Sequence, residues 1–292
     1  MKKNNIPLLN LLSLGGAFLG AAVSLNAETV WAKGVNENAG WVDVNKNWQE
    51  DRQLCWAAAA SNIIEWWQRS ADAKQIPAGT PQGVENIFDA FRTAFADKGL
   101  GTNIAWKWYF GGCDLVRYNY ERDFRNQKTA KTSGRYWEPY VAKVAGKTLS
   151  PETDPKWIPG GMICETRESA RSAEKLAGTL KSLFERGYGV SLALVSGGNW
   201  PGGHAITLWG MEYEGDFIKT LYVTDSDDGV TKLQRYDVYY KEIEHLREED
   251  KNGKIQEEAW SETRIYLQNY YGSNAYALSS YGALALPCPE PR

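Results

Sequence analysis

The sequence predicts an α+β fold, helical in its first half and built of antiparallel strands in its second. Three observations carry that expectation. Residues 55–69 place Trp56, Ala59, Ala60, Ile63 and Trp67 at helical spacing. From residue 190 onward the period changes, and 190–195, 204–209 and 217–224 read as strands. Glu214, Gly215 and Asp216 make a turn between the last two, so these are expected to pair as a hairpin. Helices followed by antiparallel strands define the α+β class.

The remaining elements follow in chain order. Residues 28–40 read as an extended lead-in, and Gly40 to Val44 as a short strand. The helix from Cys55 comes next, with Asp51 and Gln53 just ahead of it, so Cys55 falls in the first turn. Residues 80–150 look mostly helical, broken at Gly111 and Gly112. Residues 151–161 carry three Pro and two Gly and are expected to be a loop between two lobes. A second amphipathic helix, 172–186, presents Leu176, Leu180, Leu183 and Phe184 and ends at Gly187. Strands at about 232–240 and 262–268 would complete the sheet.

Length and composition bound the function. The 292 residues are 43% hydrophobic and 24% charged, which suits one large domain or two small lobes. A net charge of −3 without any basic cluster argues against a nucleic-acid partner. Thirteen Trp and sixteen Tyr suit a core, a wide groove or carbohydrate contacts, and their number does not choose among these.

Lys2 and Lys3 precede an apolar stretch from about Ile6 to Val23, and Ala27 offers a cleavage point. Residues 1–27 therefore read as a signal peptide and 28–292 as the mature domain. Leu25 is larger than the small-x-small rule prefers, so an uncleaved anchor is the alternative. No later stretch approaches the roughly 20 apolar residues of a membrane helix. The expected protein is secreted or periplasmic, without membrane contact once the leader is removed.

Four cysteines remain: Cys55, Cys113, Cys164 and Cys288. No CxxC pair occurs, so no zinc site is expected, nor any other metal or cofactor. An exported chain can pair two or four cysteines. A reduced Cys55 would leave three.

Cys55 is the first chemical candidate, because a thiol at a helix N-terminus feels the positive end of the macrodipole, which favours thiolate. A buried structural cysteine is the competing interpretation. His204 is one of only two histidines. The other, His245, lies in a charged stretch, 241–251, read as a solvated helix face. His204 starts an apolar strand after the glycine-rich residues 196–203, which leave room for a substrate backbone. A satisfied core histidine is its alternative. Asp225 ends the strand paired with that of His204 and can orient the imidazole, with Asp227 and Asp228 as rivals. Residues 225–229 also suit a turn or a cation loop, but they lack the Gly and Glu spacing of a calcium loop. An oxyanion would find the Cys55 N–H and a side chain upstream: Lys46, Gln49 and Gln53 are equal candidates on physical grounds. Trp200 either walls a primed subsite or packs under its loop.

These residues resemble a known family. The segment from Gly40 to Lys46, then Leu54 and Cys55 with an alanine-rich helix ending at Trp66 and Trp67, is similar to the IdeS/Mac family of immunoglobulin G-degrading cysteine endopeptidases. So are the runs from His204 to Gly210 and from Tyr222 to Asp227. These blocks lie between about residues 40 and 240; residues 70–165 match poorly, and the loop from Lys46 to Cys55 is a residue shorter than the family pattern. The resemblance implies a papain-like two-lobe peptidase, its helical lobe followed by an antiparallel sheet lobe. It implies Cys55 as nucleophile, His204 as base, Asp225 as orienting acid, Lys46 as oxyanion donor in preference to Gln49, and Asp227 as a supporting acid. Protein substrates follow, immunoglobulin G among them. Two other functions fit the same residues: an acyltransferase or transglutaminase, with an amine in place of water, and an inactive binding protein on this scaffold.

Overall fold

Four consecutive alanines, residues 57–60, follow Cys55 and Trp56 in the first helix, α1 (Cys55–Gln68), and Ala gives up no side-chain entropy on becoming helical. All of its residues except Glu65 are buried. The cause is its position: α1 packs on the sheet strands β3 (Gly189–Ser196) and β4 (Gly203–Glu214) and is covered by α2 (Val84–Ala94) and α3 (Thr102–Phe110). A helix enclosed on every side is mostly apolar all round, and its buried Ser61, Asn62 and Gln68 are hydrogen-bonded. The structure is a computed structural model that describes residues 27–72, 74–111, 123–126, 133–145, 164–168, 173–196, 203–247 and 258–289.

Two further helices, α4 (Glu138–Ala145) and α5 (Ala173–Glu185), accompany eight strands: β1 (Glu28–Trp31), β2 (Cys164–Glu168), β3 (Gly189–Ser196), β4 (Gly203–Glu214), β5 (Phe217–Thr224), β6 (Gln234–Arg247), β7 (Glu258–Leu267) and β8 (Tyr276–Leu284). The fold is mixed, helices with one large sheet, and every pairing between strands is antiparallel. The strand order is β1-β4-β3-β8-β7-β6-β5, and β5 also pairs with β4. Strands β4, β3, β8, β7, β6 and β5 therefore close a circuit, with β1 added on β4 and β2 on β8. Closure leaves few open edges for another chain to pair with.

The aromatic residues are chiefly core. Trp56, Trp67, Trp106, Trp137 and Trp209 are fully buried. Around α1, Trp56 meets Phe95 edge to face at 5.1 Å, and Trp67 meets Trp137 at 4.7 Å, separations favoured by the ring quadrupole.

The expected helix at 55–69 and the β4–β5 hairpin are present; the helix at 172–186 is α5. Other expectations are corrected. Residues 40–44 form no strand: Val42 and Val44 enter the core, but the segment has no ladder partner and is tied by single bonds, such as Thr224 Oγ1 to the Val42 carbonyl at 3.0 Å. His245 lies on a strand, opposite Trp260, because residues 241–247 extend β6 as a long two-stranded arm with β7. The central strand β8 was not foreseen, since its small and polar residues dilute the period-two signal. Nor are helices and strands cleanly ordered, as β1 and β2 precede parts of the helical region. The signal peptide apart from Ala27, the 151–161 loop, Cys113 and Trp200 lie outside the described residues.

Candidate active site

Cys55 is the first residue of α1, and Leu54 before it offers no side-chain cap. Its N–H has no acceptor among the described residues, so it is one of the orphan donors that a helix start presents. The preceding turn is built on Asp51, which is fully buried. Its carboxylate accepts the N–H groups of Asn47 at 3.0 Å and Trp48 at 2.8 Å, and its carbonyl accepts that of Leu54. This folds the chain back so that Lys46 and Cys55 border one cleft.

Helix and sheet are brought into register by a buried polar network. Asn62 lies seven residues after Cys55, on the same helix face, and its amide donates to Thr207 at 3.1 Å and Thr224 at 3.3 Å. Trp209 Nε1 also donates to Thr224. Thr207 is three residues from His204, and Thr224 is next to Asp225. The network therefore ties the helix to the two strands that carry the other candidates.

His204 Nε2 lies 2.7 Å from Asp225 Oδ1, which leaves Nδ1 for the Cys55 sulfur. Asp225 is fully buried and well supplied with donors: Tyr270 Oη, Tyr271 Oη at 3.2 Å and the Asp227 N–H at 3.1 Å. Burial pushes the Cys55 thiol up, yet the hydrogen bond and charge of His204, the Ala205 N–H and the charge of Lys46 outweigh it, and the thiol is held below its ordinary value. Burial likewise opposes protonation of His204, but Asp225 and Cys55 raise it well above the usual imidazole range. For Asp225 burial works upward, whereas His204 and Tyr270 bring the carboxyl below its usual range. All three shifts move this tightly coupled row towards thiolate, imidazolium and carboxylate.

Lys46 is buried and its ammonium is held at 2.7 Å from both the Arg52 carbonyl and Asp227 Oδ1. An ammonium has three protons, so one remains for another acceptor. Asp227 Oδ2 is 3.8 Å from His204 Nδ1, so this carboxylate links Lys46 to the imidazole without displacing Asp225 as the close partner. Asp228 is occupied elsewhere, by the Val230 N–H and Gln234. Among the oxyanion candidates, Gln49 is exposed and outside the cleft lining, while Gln53 accepts the Gly99 N–H at 3.1 Å.

The cleft measures about 1770 Å³. Lys46, Cys55, Asp97 and residues 99–103 line it, together with His204, parts of β3 and β8, and the β7–β8 turn. Tyr270 and Tyr271, on that turn, were missed from the sequence. They lie more than two hundred residues after Cys55, and only the turn-forming Asn269 and Gly272 marked the place. Cys55 and Cys288 are free thiols.

His204, Asp225 and Asp227 also offer ligand atoms within 4.8 Å of one another, a set able to hold a metal ion. The surroundings disfavour it. The Lys46 ammonium already neutralises Asp227, and both Asp225 oxygens accept protons from neighbours. A dication there would face a cation 2.7 Å from its own ligand.

The chain matches no protein-family model and no curated protein.

Proposed function

We propose that the chain is a papain-like cysteine endopeptidase of the IdeS/Mac type, exported by its leader, that cleaves protein substrates. The observation that supports this most is the Cys55–His204–Asp225 row, with the thiol lowered and the imidazole raised at the start of a helix. The two-sided cleft, helix and loops facing the sheet, supports the two-lobe papain-like arrangement.

The chemistry follows from these positions. The Cys55 thiolate attacks the scissile carbonyl carbon, and its π electrons move onto the oxygen. The Cys55 N–H and the third Lys46 proton stabilise that oxyanion, each such donor contributing about 3 kcal/mol to the barrier reduction. Collapse breaks the C–N bond while imidazolium Nδ1 gives its proton to the departing amine, leaving an acyl-thioester. Nδ1 then takes a proton from water, whose oxygen attacks the thioester, and Cys55 departs as thiolate. Asp225 holds the ring through Nε2 throughout and keeps its negative charge.

Immunoglobulin G is the substrate that the family resemblance suggests. Purified immunoglobulins, mucins and other secreted proteins are incubated with wild type and with Cys55→Ala, and the products are weighed by mass spectrometry. Backbone cleavage by wild type and none by Cys55→Ala is expected. Cleavage retained in Cys55→Ala ends the proposal, and added mass without cleavage makes the enzyme an acyltransferase.

A further inference from the structure

Among the described residues four non-glycines stand at positive φ: Trp48 at 64°, Arg135 at 57°, Asn269 at 52° and Tyr271 at 49°. Four large apolar side chains are exposed: Trp48, Phe217, Val230 and Tyr271. Trp48 and Tyr271 belong to both sets, and both line the cleft with Cys55 and His204. Left-handed backbone is unfavourable for a bulky side chain, because Cβ crowds the following carbonyl. Exposing an aromatic ring to water is unfavourable as well. Each residue carries both costs, and the surrounding turn enforces them. Asp51 holds the Trp48 N–H, while Asn274 Oδ1 holds the Asn269 N–H at 2.6 Å and the Tyr270–Ser273 bridge closes the second turn.

Internal contacts use only part of each ring. Lys46 Nζ lies 4.3 Å from the Trp48 ring centroid, yet Trp48 is 47% exposed. Tyr271 donates its hydroxyl to Asp225 and is 51% exposed. Strained backbone held at a cleft is a mark of ligand clamps.

We infer that Trp48 and Tyr271 are specificity-determining walls of the cleft, gripping an apolar side chain of the peptide substrate close to the scissile bond. The inference rests on the peptidase function proposed above. A rigid ring has two χ angles to immobilise, so it binds an aliphatic, proline or aromatic side chain at small entropic cost.

The test uses Trp48→Gly and Tyr271→Gly, because glycine adopts positive φ without strain. Trp48→Phe and Tyr271→Phe keep a ring. Each variant and the wild type digest a library of proteome-derived peptides, with cleavage sites read by mass spectrometry. Iodoacetamide alkylation of Cys55 reports the ion pair without a peptide. Wild type is expected to enrich an apolar residue at one position around the cut. The glycine variants lose that enrichment and raise KM on a preferred peptide about tenfold or more. The alkylation rate of Trp48→Gly stays near wild type, and that of Tyr271→Gly matches Tyr271→Phe, which lacks the same hydroxyl on Asp225; Tm stays within about 2 °C, because relieved strain offsets the added unfolded-state entropy. The phenylalanine variants keep the enrichment. An unchanged cleavage profile in both glycine variants overturns the inference alone. So does loss of the profile in Tyr271→Phe, which would trace the effect to the hydroxyl on Asp225. A wild type that alkylates quickly but cuts no peptide overturns the peptidase proposal and this inference with it.

Discussion

The turn before α1 and the turn between β7 and β8 border the same cleft, and each sets an aromatic ring beside an ionised side chain of opposite sign. The first turn lays the face of Trp48 over the Lys46 ammonium, and the second brings the Tyr271 hydroxyl to the Asp225 carboxylate. The negative face of an indole attracts a cation, whereas a phenol can donate to an anion. Their supports differ too. The first turn hangs on a fully buried carboxylate, Asp51, and the second on the amide of Asn274 and a single bridge. Tyr270 is fully buried, so both turns reach the core, but the backbone of the first hangs on a buried carboxylate and that of the second on the exposed Asn274, so losing Asp51 should propagate further than losing Asn274.

Three variants test that contrast. On the proposed mechanism Lys46→Ala should cost the most, lowering kcat about 100-fold or more, the loss expected for one oxyanion donor. Alkylation of Cys55 by iodoacetamide should change far less, since His204 remains; an equal fall in both rates would make Lys46 a support of the thiolate instead. Asp51→Ala should destabilise the fold by about 3 kcal/mol in urea titrations, because two N–H groups and the Arg92 contact lose a buried partner. Asn274→Ala should cost a third of that or less, and equal losses would erase the contrast between the turns.

Asp43 provides a pH-dependent probe on the Lys46 side. Burial, with Asp228 and Asp225 nearby, pushes its carboxyl up to about 7, although the Lys232 N–H works the other way. A folded value raised above the unfolded one means that the native state binds the extra proton between pH 4 and 7. Stability from this group is therefore full at acid pH and lost as pH rises through 7. Asp43→Asn should be more stable than wild type by about 2 kcal/mol at pH 8 and indistinguishable near pH 4, measured by thermal melts at both values. A constant difference across that range would refute the assigned cause.

Tyr270→Phe should have the smallest effect, a few-fold loss in kcat/KM from one hydrogen bond. Its signature is in the pH profile. The alkaline limb follows deprotonation of His204, whose raised value depends on a fully ionised Asp225. Without the Tyr270 proton, Asp225 holds its charge less firmly and interacts with the ring in a changed geometry, so the limb should move. A fixed limb with reduced Tm would leave Tyr270 with packing alone.

How much of this was legible follows from the range of each signal. Cys55 stood out because its helix has an unmistakable period, and His204 because the chain has so few histidines. Asp225 could be placed across from His204 because the turn at residues 214–216 is local. Lys46 could not be separated from Gln49 and Gln53 by chemistry; family resemblance favoured it. The structure adds that Gln49 is exposed and that Gln53 is engaged with Gly99. The charged residues around His245 misled because a solvent-exposed two-stranded arm and an exposed helix face can share a composition.

By itself, then, the sequence determined the helix that begins at Cys55, the hairpin that carries His204 and Asp225, and the acidic turn after it, all from contacts a few residues apart. Only the tertiary structure decided what meets them. Tyr270 and Tyr271 reach Asp225 because β8 inserts between β3 and β7 and the strands close into a circuit, which carries the β7–β8 turn to the cleft. Such closure depends on pairings between residues far apart in the chain, and no local period records them.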